Sequence, residues 1–367
     1  MQLKIFSDQK YLLDAEGVKP HEMLRPFWSG KTENPQYPWF NHCDEYIETA
    51  QLLFNLVSLE EADLAVMPDD WKTVTGEVWY SSKNQAAEKL YMQFIQLVQQ
   101  AQKPLVVFFS GDCASDNVPF EDTYVFRTAD FQSKRKPKSF VYPQFCEDLV
   151  KFYLKDQLNI RQKSVKPTVG FCGLIKENTW QTRLKTILYY LHRFYRRKPI
   201  DYAPIQGHVL RGRAAKMISE STLVEDNFII HNNMVFLGKN DFDNMYTSRV
   251  NFVDNIVSSD YVLCCRGAGN YSIRLFETLC CGRIPIFINT DCVLPFDFAI
   301  DWKKYCIWIE EHELPNISEK VAEFHAQITP QEFIDLQYEC RKLWKEWLSC
   351  EGFFSKFYLH FNFPGNP

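Results

Sequence analysis

The sequence predicts an α/β protein of two doubly wound domains, each a parallel sheet with helices on both faces. Short apolar segments alternate with helical patterns along most of the chain, which is typical of such folds. The length of 367 residues suits two domains. A charged segment ends at Pro167, directly before a new strand, and indicates where the second domain begins. We therefore expect a first domain at 1–160, a second at 161–350, and a tail at 351–367 that packs back on the first.

The first domain is predicted from buried strands that end at polar or turn-forming residues. An apolar run between Pro104 and Ser110 predicts the strand Leu105–Phe109. Apolar residues at helical spacing predict a long helix over Asn84–Gln102. The other predicted elements are the helix His42–Leu56 and the strands Lys4–Ser7, Ala62–Met67, Tyr124–Phe126 and Phe140–Tyr142.

The second domain opens with the predicted strand Thr168–Cys172, and its C-terminal third is predicted to be mostly helical. A polar stretch containing Arg211 and Arg213 separates its first helix from the next strand. The predicted strands that follow are Asn227–His231, Met234–Leu237, Tyr261–Cys265 and Ile284–Ile288. The predicted helices are Thr179–Arg197, Met245–Ser258, Tyr271–Cys281, Leu314–Gln327 and Pro330–Leu348.

Composition excludes several classes of protein. The net charge of −5 and a pI near 6.0 argue against nucleic-acid binding as the main role. No run approaches the roughly 18 apolar residues that span a membrane, and the first residues have no signal-peptide pattern. We therefore expect a soluble, cytoplasmic protein. The 12 cysteines lie mostly in apolar segments without a C-x-x-C pair, which predicts buried, reduced thiols.

Residues 261–297 form the most informative segment. An apolar strand runs into the turn Arg266-Gly267-Ala268-Gly269-Asn270, and a helical pattern and a second strand follow. A strand, a glycine turn and a helix offer backbone N–H groups to a phosphate. Arg266 and Arg274 on either side of the turn suit a diphosphate, since guanidinium binds phosphate oxygens bidentately. Glu277 on the helix suits ribose hydroxyls. The full G-x-G-x-x-G fingerprint is absent, because position 272 is serine.

The pattern R-G-A-G-N-Y-S-I-R-x-x-E-T-L-x-x-G-R-I-P-I-F-I-x-T-D-C-V-L-P-F resembles the C-terminal signature of the exostosin-like glycosyltransferase family. The resemblance is clearest over about 230–310. It implies a GT-B-type fold, with two Rossmann-like domains facing a central cleft, and inverting transfer of a sugar from a nucleotide-sugar donor, a UDP-sugar. It implies no cofactor, since the nucleotide-sugar is a substrate. Animal members add a membrane anchor and a second catalytic domain, so we expect a role closer to bacterial polysaccharide synthesis.

The donor-binding residues expected from the motif and the resemblance are Arg266, Gly267, Gly269, Asn270, Ser272, Arg274, Glu277, Arg249 and Gly173. Ser272 either caps the helix or donates to phosphate. Gly173 ends the first strand of the second domain, and a tight turn explains it as well as a phosphate contact does. Arg249, one turn into a helix, is either a phosphate or base contact or an exposed cation. Lys176 and Arg183 are weaker candidates.

No metal site is expected. Asp241-Phe242-Asp243 has the D-x-D form that holds a metal in another glycosyltransferase fold. A match this short arises by chance, and Asp243 serves equally well as a helix cap. Arginines and a helix dipole can neutralise a leaving diphosphate without a metal.

An inverting transfer needs a general base that takes the proton of the acceptor hydroxyl. We expect it at the carboxyl end of a strand in the first domain. The candidates, in order, are Asp112, Asp69 and Asp8, although aspartates at strand ends also cap turns. His42 and His21 are further candidates that no positional argument supports.

The expected acceptor is a glycan or a lipid-linked oligosaccharide. The basic islands Lys134–Lys138 and Arg193–Lys198 are either solvated faces or contacts with an anionic acceptor or the inner face of a membrane. Two rivals stay open. A nucleotide-dependent oxidoreductase would need a glycine fingerprint after the first strand, where Ser7-Asp8-Gln9-Lys10 stands. A degenerate transferase that binds glycan or scaffolds an assembly would be expected to lose the arginines and Glu277.

Overall fold

The computed structural model describes residues 2–15, 18–29, 42–76, 82–119, 122–176, 178–198, 203–231 and 242–361. The chain divides into two compact units. Unit 1 comprises Met1–Phe145, Cys292–Phe296 and Glu346–Pro367, and unit 2 comprises Cys146–Asp291 and Asp297–Lys345.

Unit 1 is built on a six-stranded parallel sheet with the order β2-β1-β3-β4-β5-β6. Its strands are β1 (Leu3–Phe6), β2 (Phe54–Leu56), β3 (Leu64–Val66), β4 (Leu105–Phe109), β5 (Tyr124–Arg127) and β6 (Ser139–Val141). Its helices are α1 (Arg25–Trp28), α2 (Asp44–Leu53), α3 (Lys72–Thr75), α4 (Gln85–Gln100) and, near the C-terminus, α12 (Cys350–Ser355). The central strand β4 is buried along its whole length, as the unbroken apolar run predicts.

The C-terminal segment, residues 346–361, completes the core of unit 1. Phe357 lies over Phe126 of β5, with ring centroids 4.8 Å apart, and 6.2 Å from Phe108 of β4. A disulfide joins Cys43, before α2, to Cys350 at the start of α12. This segment therefore covers one face of the first sheet.

Unit 2 contains a five-stranded parallel sheet with the order β11-β10-β9-β7-β8. The strands are β7 (Thr168–Leu174), β8 (Glu225–His231), β9 (Tyr261–Cys264), β10 (Ile284–Asn289) and β11 (Ile307–Glu310). The helices are α5 (Leu149–Tyr153), α6 (Trp180–Tyr195), α7 (Pro204–Ser219), α8 (Phe242–Val257), α9 (Ile273–Cys280), α10 (Ile317–Gln327) and α11 (Pro330–Leu343), and a π-helical turn at Trp344–Leu348 follows.

In both sheets the strand order changes direction at the first strand, because the next two strands lie on opposite sides of it. In unit 1 the chain moves from β1 to β2 on one side and to β3 on the other, and in unit 2 it moves from β7 to β8 and then to β9. Right-handed crossovers on both sides of the first strand put helices on both faces. The predicted α/β class with two doubly wound sheets is confirmed. Ligands of such sheets bind outside the carboxyl ends of the strands at this switch point.

The division between the units differs from the predicted boundary at 160/161. Residues 146–160 belong to unit 2, because their contacts lie there. Asp148 pairs with Arg341 of α11 at 2.6 Å, and the Leu149 N–H donates to the Cys280 sulfur of α9. Charge and Pro167 mark the predicted boundary in the sequence, whereas unit 2 begins earlier, at Cys146.

Three elements differ from the sequence prediction. Helix α7 occupies the stretch around Arg211 that was described only as polar, because its apolar residues do not form a continuous stripe. Strand β11 lies just before the predicted helix Leu314–Gln327, where the sequence predicted no strand. Residues 54–56 leave the predicted helix and pair with β1 as β2. The predicted strand Met234–Leu237 and Asp241 lie outside the described residues.

The prediction that the cysteines are reduced is wrong for Cys43 and Cys350. The other ten are free thiols, nine of them buried, as predicted. The sequence separation of 307 carries no pattern that could have identified the pair. Disulfides of this kind persist in oxidising compartments, so the expected cytoplasmic location stays a prediction.

Within the described residues, no helix combines the length and the apolar character that a membrane crossing requires. The same residues contain no group of three or more histidine, cysteine or acidic side chains placed to hold a metal ion.

We expect reduction of the disulfide to destabilise unit 1 alone. Opening a cross-link between distant residues restores entropy to the unfolded chain and costs about 2–4 kcal/mol. Hydrogen exchange with and without a thiol reductant measures this by region. Exchange in α2 and α12 should rise, whereas β9 of unit 2 serves as the internal control. Equal protection of α2 in both conditions would contradict the prediction.

Candidate functional site

The carboxyl ends of β7 and β9 meet at the switch point of unit 2, and cationic side chains collect there. Arg274 comes from the first turn of α9, Arg211 from α7, and Arg266 from the loop after β9. Parallel strands place these positions at one edge of the sheet. The predicted pair Arg266 and Arg274 therefore lies at the expected edge, together with an arginine that the prediction lacked.

Arg274 lies across the end of β7. Its guanidinium stands 4.3 Å from the ring centre of Phe171, and its Nη2 donates to the carbonyl of Cys172 at 2.6 Å. The buried Nε has no hydrogen-bond partner within the described residues, and no described acid pairs with this arginine. Its charge is held by a carbonyl dipole and an aromatic face, so it is available to an anion.

Gly173 makes room for this arginine. The prediction that Gly173 ends the strand is wrong, because β7 continues to Leu174. A Cβ at position 173 would lie 2.8 Å from Nη2 of Arg274. The glycine therefore serves the close approach of a side chain to the strand, and its predicted phosphate contact stays a prediction.

Arg211 bridges two strand ends from α7. Its Nη1 donates to the Leu174 carbonyl at 3.2 Å and its Nη2 to the Arg266 carbonyl at 3.0 Å. Its buried Nε has no hydrogen-bond partner in the described part of the chain. Burial and the neighbouring Arg274 lower the pKa of Arg211 to about 10, which leaves it charged at neutral pH.

The loop between β9 and α9 is held against α7 by a backbone contact. A Cβ at Gly207 would lie 1.9 Å from the carbonyl oxygen of Gly267, so only glycine fits at this crossing. Within the loop, Nη2 of Arg266 donates to the Ala268 carbonyl at 2.7 Å. The Asn270 side chain accepts from the Thr290 hydroxyl at 2.8 Å and thereby ties the loop to the end of β10.

Ser272 stands at the N-terminus of α9. It has the N-cap position, yet its side chain makes no capping hydrogen bond. Of the two roles left open by the sequence, the structure does not show the capping one. Arg274 lies in the first turn after this position, so the positive end of the helix dipole and the Arg274 side chain belong to the same helix terminus. Gly267 and Gly269 lie in the loop before it, and neither has a positive φ.

Glu277 lies in a buried ion cluster with Arg249 and Glu147. Nη1 of Arg249 reaches Oε1 of Glu277 at 2.5 Å, and its Nε and Nη2 reach the two oxygens of Glu147 at 2.9 and 3.0 Å. Although burial opposes it, the two carboxylates raise the pKa of Arg249. Arg249 is therefore neither an exposed cation nor unpaired. The donor-binding roles expected for Arg249 and Glu277 stay predictions.

A cavity of about 420 Å³ lies between α6 and α7 and reaches Arg266. Polar and cationic side chains line both walls, including Thr182 and Arg183 on α6 and Arg213 on α7, with Glu311 at one end. Of the weaker candidates, Arg183 thus lines the cavity. Arg266 connects this space to the cluster at the switch point.

In unit 1, a cavity of about 260 Å³ lies near the carboxyl ends of β3, β4 and β6. Asp69 lines it, and Asp112 and Asp8 are not among its lining residues. Asp112 lies in the turn after β4. Asp8 caps a 3₁₀ helix, Gln9–Tyr11, and pairs with Lys10 at 2.8 Å. Of the three candidate bases, Asp69 is the one that lines this cavity.

Asp69 is a buried carboxyl with two hydroxyl partners. Its Oδ2 accepts from Thr73 at 2.6 Å and from Tyr91 at 2.8 Å. Burial raises its pKa despite these hydrogen bonds. A raised pKa brings a carboxyl closer to the range in which it exchanges protons at neutral pH.

His21 and His42 flank Glu22 in the same cavity, at 3.2 and 3.9 Å from its oxygens. Nδ1 of His21 accepts the Met23 N–H, so the neutral ring carries its proton on Nε2, toward Glu22. Burial lowers the pKa of His21. The ring's lone pair is thus occupied by the Met23 N–H, and Nε2 makes no hydrogen bond within the described residues although a Glu22 oxygen lies 3.2 Å away.

Sequence reasoning missed Arg211 and His208, which lie together on the first turns of α7. Their spacing of three residues puts both on one side of a helix. The two glycines on the same helix, Gly207 and Gly212, were the available sign of close packing in this stretch. At both positions a Cβ would contact the backbone of another segment. Because no helix is predicted over these residues, their spacing could not be assigned to one helix side.

We expect Arg249→Met to destabilise unit 2 by about 3–5 kcal/mol, because it leaves two buried carboxylates without a counter-charge. Chemical denaturation of the full chain measures the change. Lys216→Met is the matched control. Within the described residues Lys216 forms only an exposed pair with Glu220 at 3.6 Å, so its loss should change stability by less than about 1 kcal/mol. Equal losses in the free energy of unfolding for the two substitutions would contradict a stabilising role of the ion cluster.

We expect Asp69→Asn to stabilise unit 1 at neutral pH. The folded-state pKa of Asp69 is raised, so the folded form binds the proton more tightly and stability falls as pH rises through the window above about 4. The amide keeps an acceptor for Thr73 and Tyr91 and carries no charge. Thermal unfolding at pH 7 should show a higher Tm for the variant, and the gain should vanish near pH 3. A lower Tm at pH 7 would refute it.

Known proteins resemble this chain over part of its length. A sequence model of the exostosin GT47 domain matches residues 208–324, which include Arg211, Arg266, Ser272, Arg274 and Glu277. Exostosin-1 of Drosophila melanogaster is 30% identical over 107 residues, which cover 29% of this chain and 14% of that protein. A probable glucuronosyltransferase of Oryza sativa subsp. japonica is 33% identical over 66 residues, covering 18% and 16%.

A third relative, the probable glucuronosyltransferase 47 A of Physcomitrium patens, is 36% identical over 64 residues, covering 17% of this chain and 14% of that protein. The chain thus matches about one seventh of the length of these relatives. The solved structure of TarM aligns with 71% of this chain and 55% of its own, at 11% identity and a TM-score of 0.30, too distant to carry an argument. Two doubly wound units and the match to the GT47 domain model fit the predicted GT-B-type class. The resemblance to the exostosin-like glycosyltransferase family is thereby confirmed over residues 208–324.

Proposed function

We propose that the protein is a glycosyltransferase of polysaccharide synthesis that moves a sugar from a nucleoside diphosphate, UDP, to a hydroxyl of a glycan, with inversion at the anomeric carbon. The observation that carries the proposal is the cationic cluster at the switch point of unit 2. Arg211 and Arg274 make hydrogen bonds only to backbone carbonyls within the described residues. Their positive charge is offset by no described acid.

A diphosphate is the anion that suits this arrangement. Two guanidinium groups, the Ser272 hydroxyl and the N-terminus of α9 converge on one edge and offer several donors to adjacent phosphate oxygens. When the bond between the sugar carbon and the phosphate oxygen breaks, the leaving diphosphate gains negative charge. Fixed cations placed in advance stabilise that charge more than they stabilise the bound donor.

Glu277 is proposed to hold the ribose. Arg249 binds one of its oxygens at 2.5 Å, and the other makes no hydrogen bond within the described residues. The ion cluster therefore fixes the carboxylate and leaves an acceptor for a ribose hydroxyl. In this proposal Arg249 is a positioning residue and does not touch the donor.

Asp69 is proposed as the general base, ahead of Asp112. Its carboxylate would accept the proton of the acceptor hydroxyl while the hydroxyl oxygen bonds to the anomeric carbon. The raised pKa and the cavity beside it support this assignment. The expected acceptor remains a glycan or a lipid-linked oligosaccharide.

The test is calorimetric binding of UDP, with GDP and CMP as comparators, to the wild type and to Arg274→Met. Methionine keeps an apolar side chain against Phe171 and removes the charge. Loss of a charge-assisted hydrogen bond costs about 1.5–3 kcal/mol, so UDP affinity should fall about 10- to 150-fold.

Lys216→Met, on an exposed part of α7, is the matched control and should bind UDP as the wild type does. Glu277→Ala should weaken UDP by a similar factor and leave inorganic diphosphate unaffected, because it removes the ribose contact and no proposed phosphate contact. Since it also removes the ion pair with Arg249, thermal unfolding confirms that the variant is folded. Failure of all three nucleotides to bind, with and without Mg²⁺ or Mn²⁺, would sink the proposal. Binding without turnover of any UDP-sugar would favour a degenerate, glycan-binding protein.

A further inference from the structure

His208 lies where α7 crosses the loop between β9 and α9. It precedes Arg211 by three residues and so shares its side of the helix. Its neighbour Gly207 is the residue at which a Cβ would lie 1.9 Å from the Gly267 carbonyl. The Nδ1 atom of His208 is buried and has no hydrogen-bond partner within the described residues. A buried, unpartnered ring nitrogen at the edge of a cationic site requires an explanation.

Three cations act on this imidazole, each from a different segment. Arg211 acts on it from α7, Lys176 from the segment after β7, and Arg266 from the loop after β9. No acid is among the groups that act on it. Burial, and then these three charges, lower the pKa of His208 to about 4. The imidazole is therefore neutral at pH 7 in the free protein.

We propose that His208 is a proton-accepting member of the anion site: it is neutral in the free protein and takes up one proton from solvent when a nucleoside diphosphate binds. The protonated ring then donates an N–H to a phosphate oxygen. This inference rests on the proposed function, since it takes the diphosphate as the ligand.

Binding of a diphosphate is expected to favour the protonated form of His208. The cations that disfavour a charged ring are the groups that a diphosphate neutralises. Once two negative charges lie among them, the repulsion becomes attraction and the charged form of His208 is favoured. The site thus avoids a fourth cation beside Arg211, Lys176 and Arg266 while it is empty, and it gains a charge-assisted donor when it is filled. As the leaving diphosphate gains charge during transfer, this hydrogen bond strengthens, and the proton returns to solvent after the nucleotide departs.

The test is calorimetry of UDP binding at pH 7 in two buffers that differ in ionisation enthalpy, on wild type and His208→Gln. The dependence of the heat on the buffer gives the number of protons taken up. UDP itself titrates near pH 6, so the quantity of interest is the difference between the two proteins. We expect the wild type to take up about 0.5–1 proton more than the variant.

The pH dependence of UDP affinity supplies a second measure, with His208→Gln again as the reference. From pH 6 to pH 8 the affinity advantage of the wild type should shrink, by at most about tenfold per pH unit for one linked proton. A residue with only a structural role would lower affinity by the same factor at every pH. Equal proton uptake by two proteins that both bind UDP would overturn the inference and leave the proposed function standing.

Failure of the wild type to bind UDP would overturn both the proposed function and the inference about His208. This outcome differs from the one that overturns the inference alone. Should His208→Gln not fold, the wild type alone decides the question. The assigned ring signal of His208 is followed by NMR against pH, with and without UDP. A rise of its pKa on binding from about 4 to 7 or above supports the inference, and a pKa that stays well below 7 in the complex overturns it.

Discussion

The charge of Arg211 and Arg274 is the constraint on which the second sheet's functional edge depends. Cations are costly to desolvate unless something compensates them. Here the compensation comes from carbonyls at the ends of β7 and β9 and from the ring of Phe171. These contacts need the backbone to come close, and Gly173 and Gly207 permit it. The fold therefore holds positive potential in place without cancelling it.

Helix α9 joins this uncompensated cationic edge to a cluster in which the charges are paired. Arg274 points to the switch point, while Glu277 on the same helix is fixed by Arg249, which Glu147 also binds. In that cluster two carboxylates face one guanidinium, so the charge is internally balanced to within one unit. One helix thus presents an uncompensated cation to a ligand and anchors itself through a compensated ion pair. The first arrangement suits binding, and the second suits rigidity.

The sequence determines the β9–α9 segment almost completely, because its signals are local. An apolar run, a glycine turn and a helical period each act within a few residues, and the observed bounds agree to within a residue or two. Contacts between distant segments could not be predicted in the same way. Arg211 joined the site only through the crossing of α7 at Gly207, and the hydroxyl partner Tyr91 of Asp69 comes from another helix. The boundary at Cys146 likewise rests on packing against Arg341, which no local pattern encodes.

The return of residues 346–361 to unit 1 has a consequence for the order of folding. The first sheet is made early in synthesis, but the aromatic rings of Phe353 and Phe357 that cover it are made after the whole of unit 2. Unit 2 is contiguous apart from one short excursion, so it can close on the ribosome while unit 1 still exposes an apolar sheet face. Unit 1 therefore matures last despite beginning first, and it is the part of the nascent chain that most needs protection by chaperones.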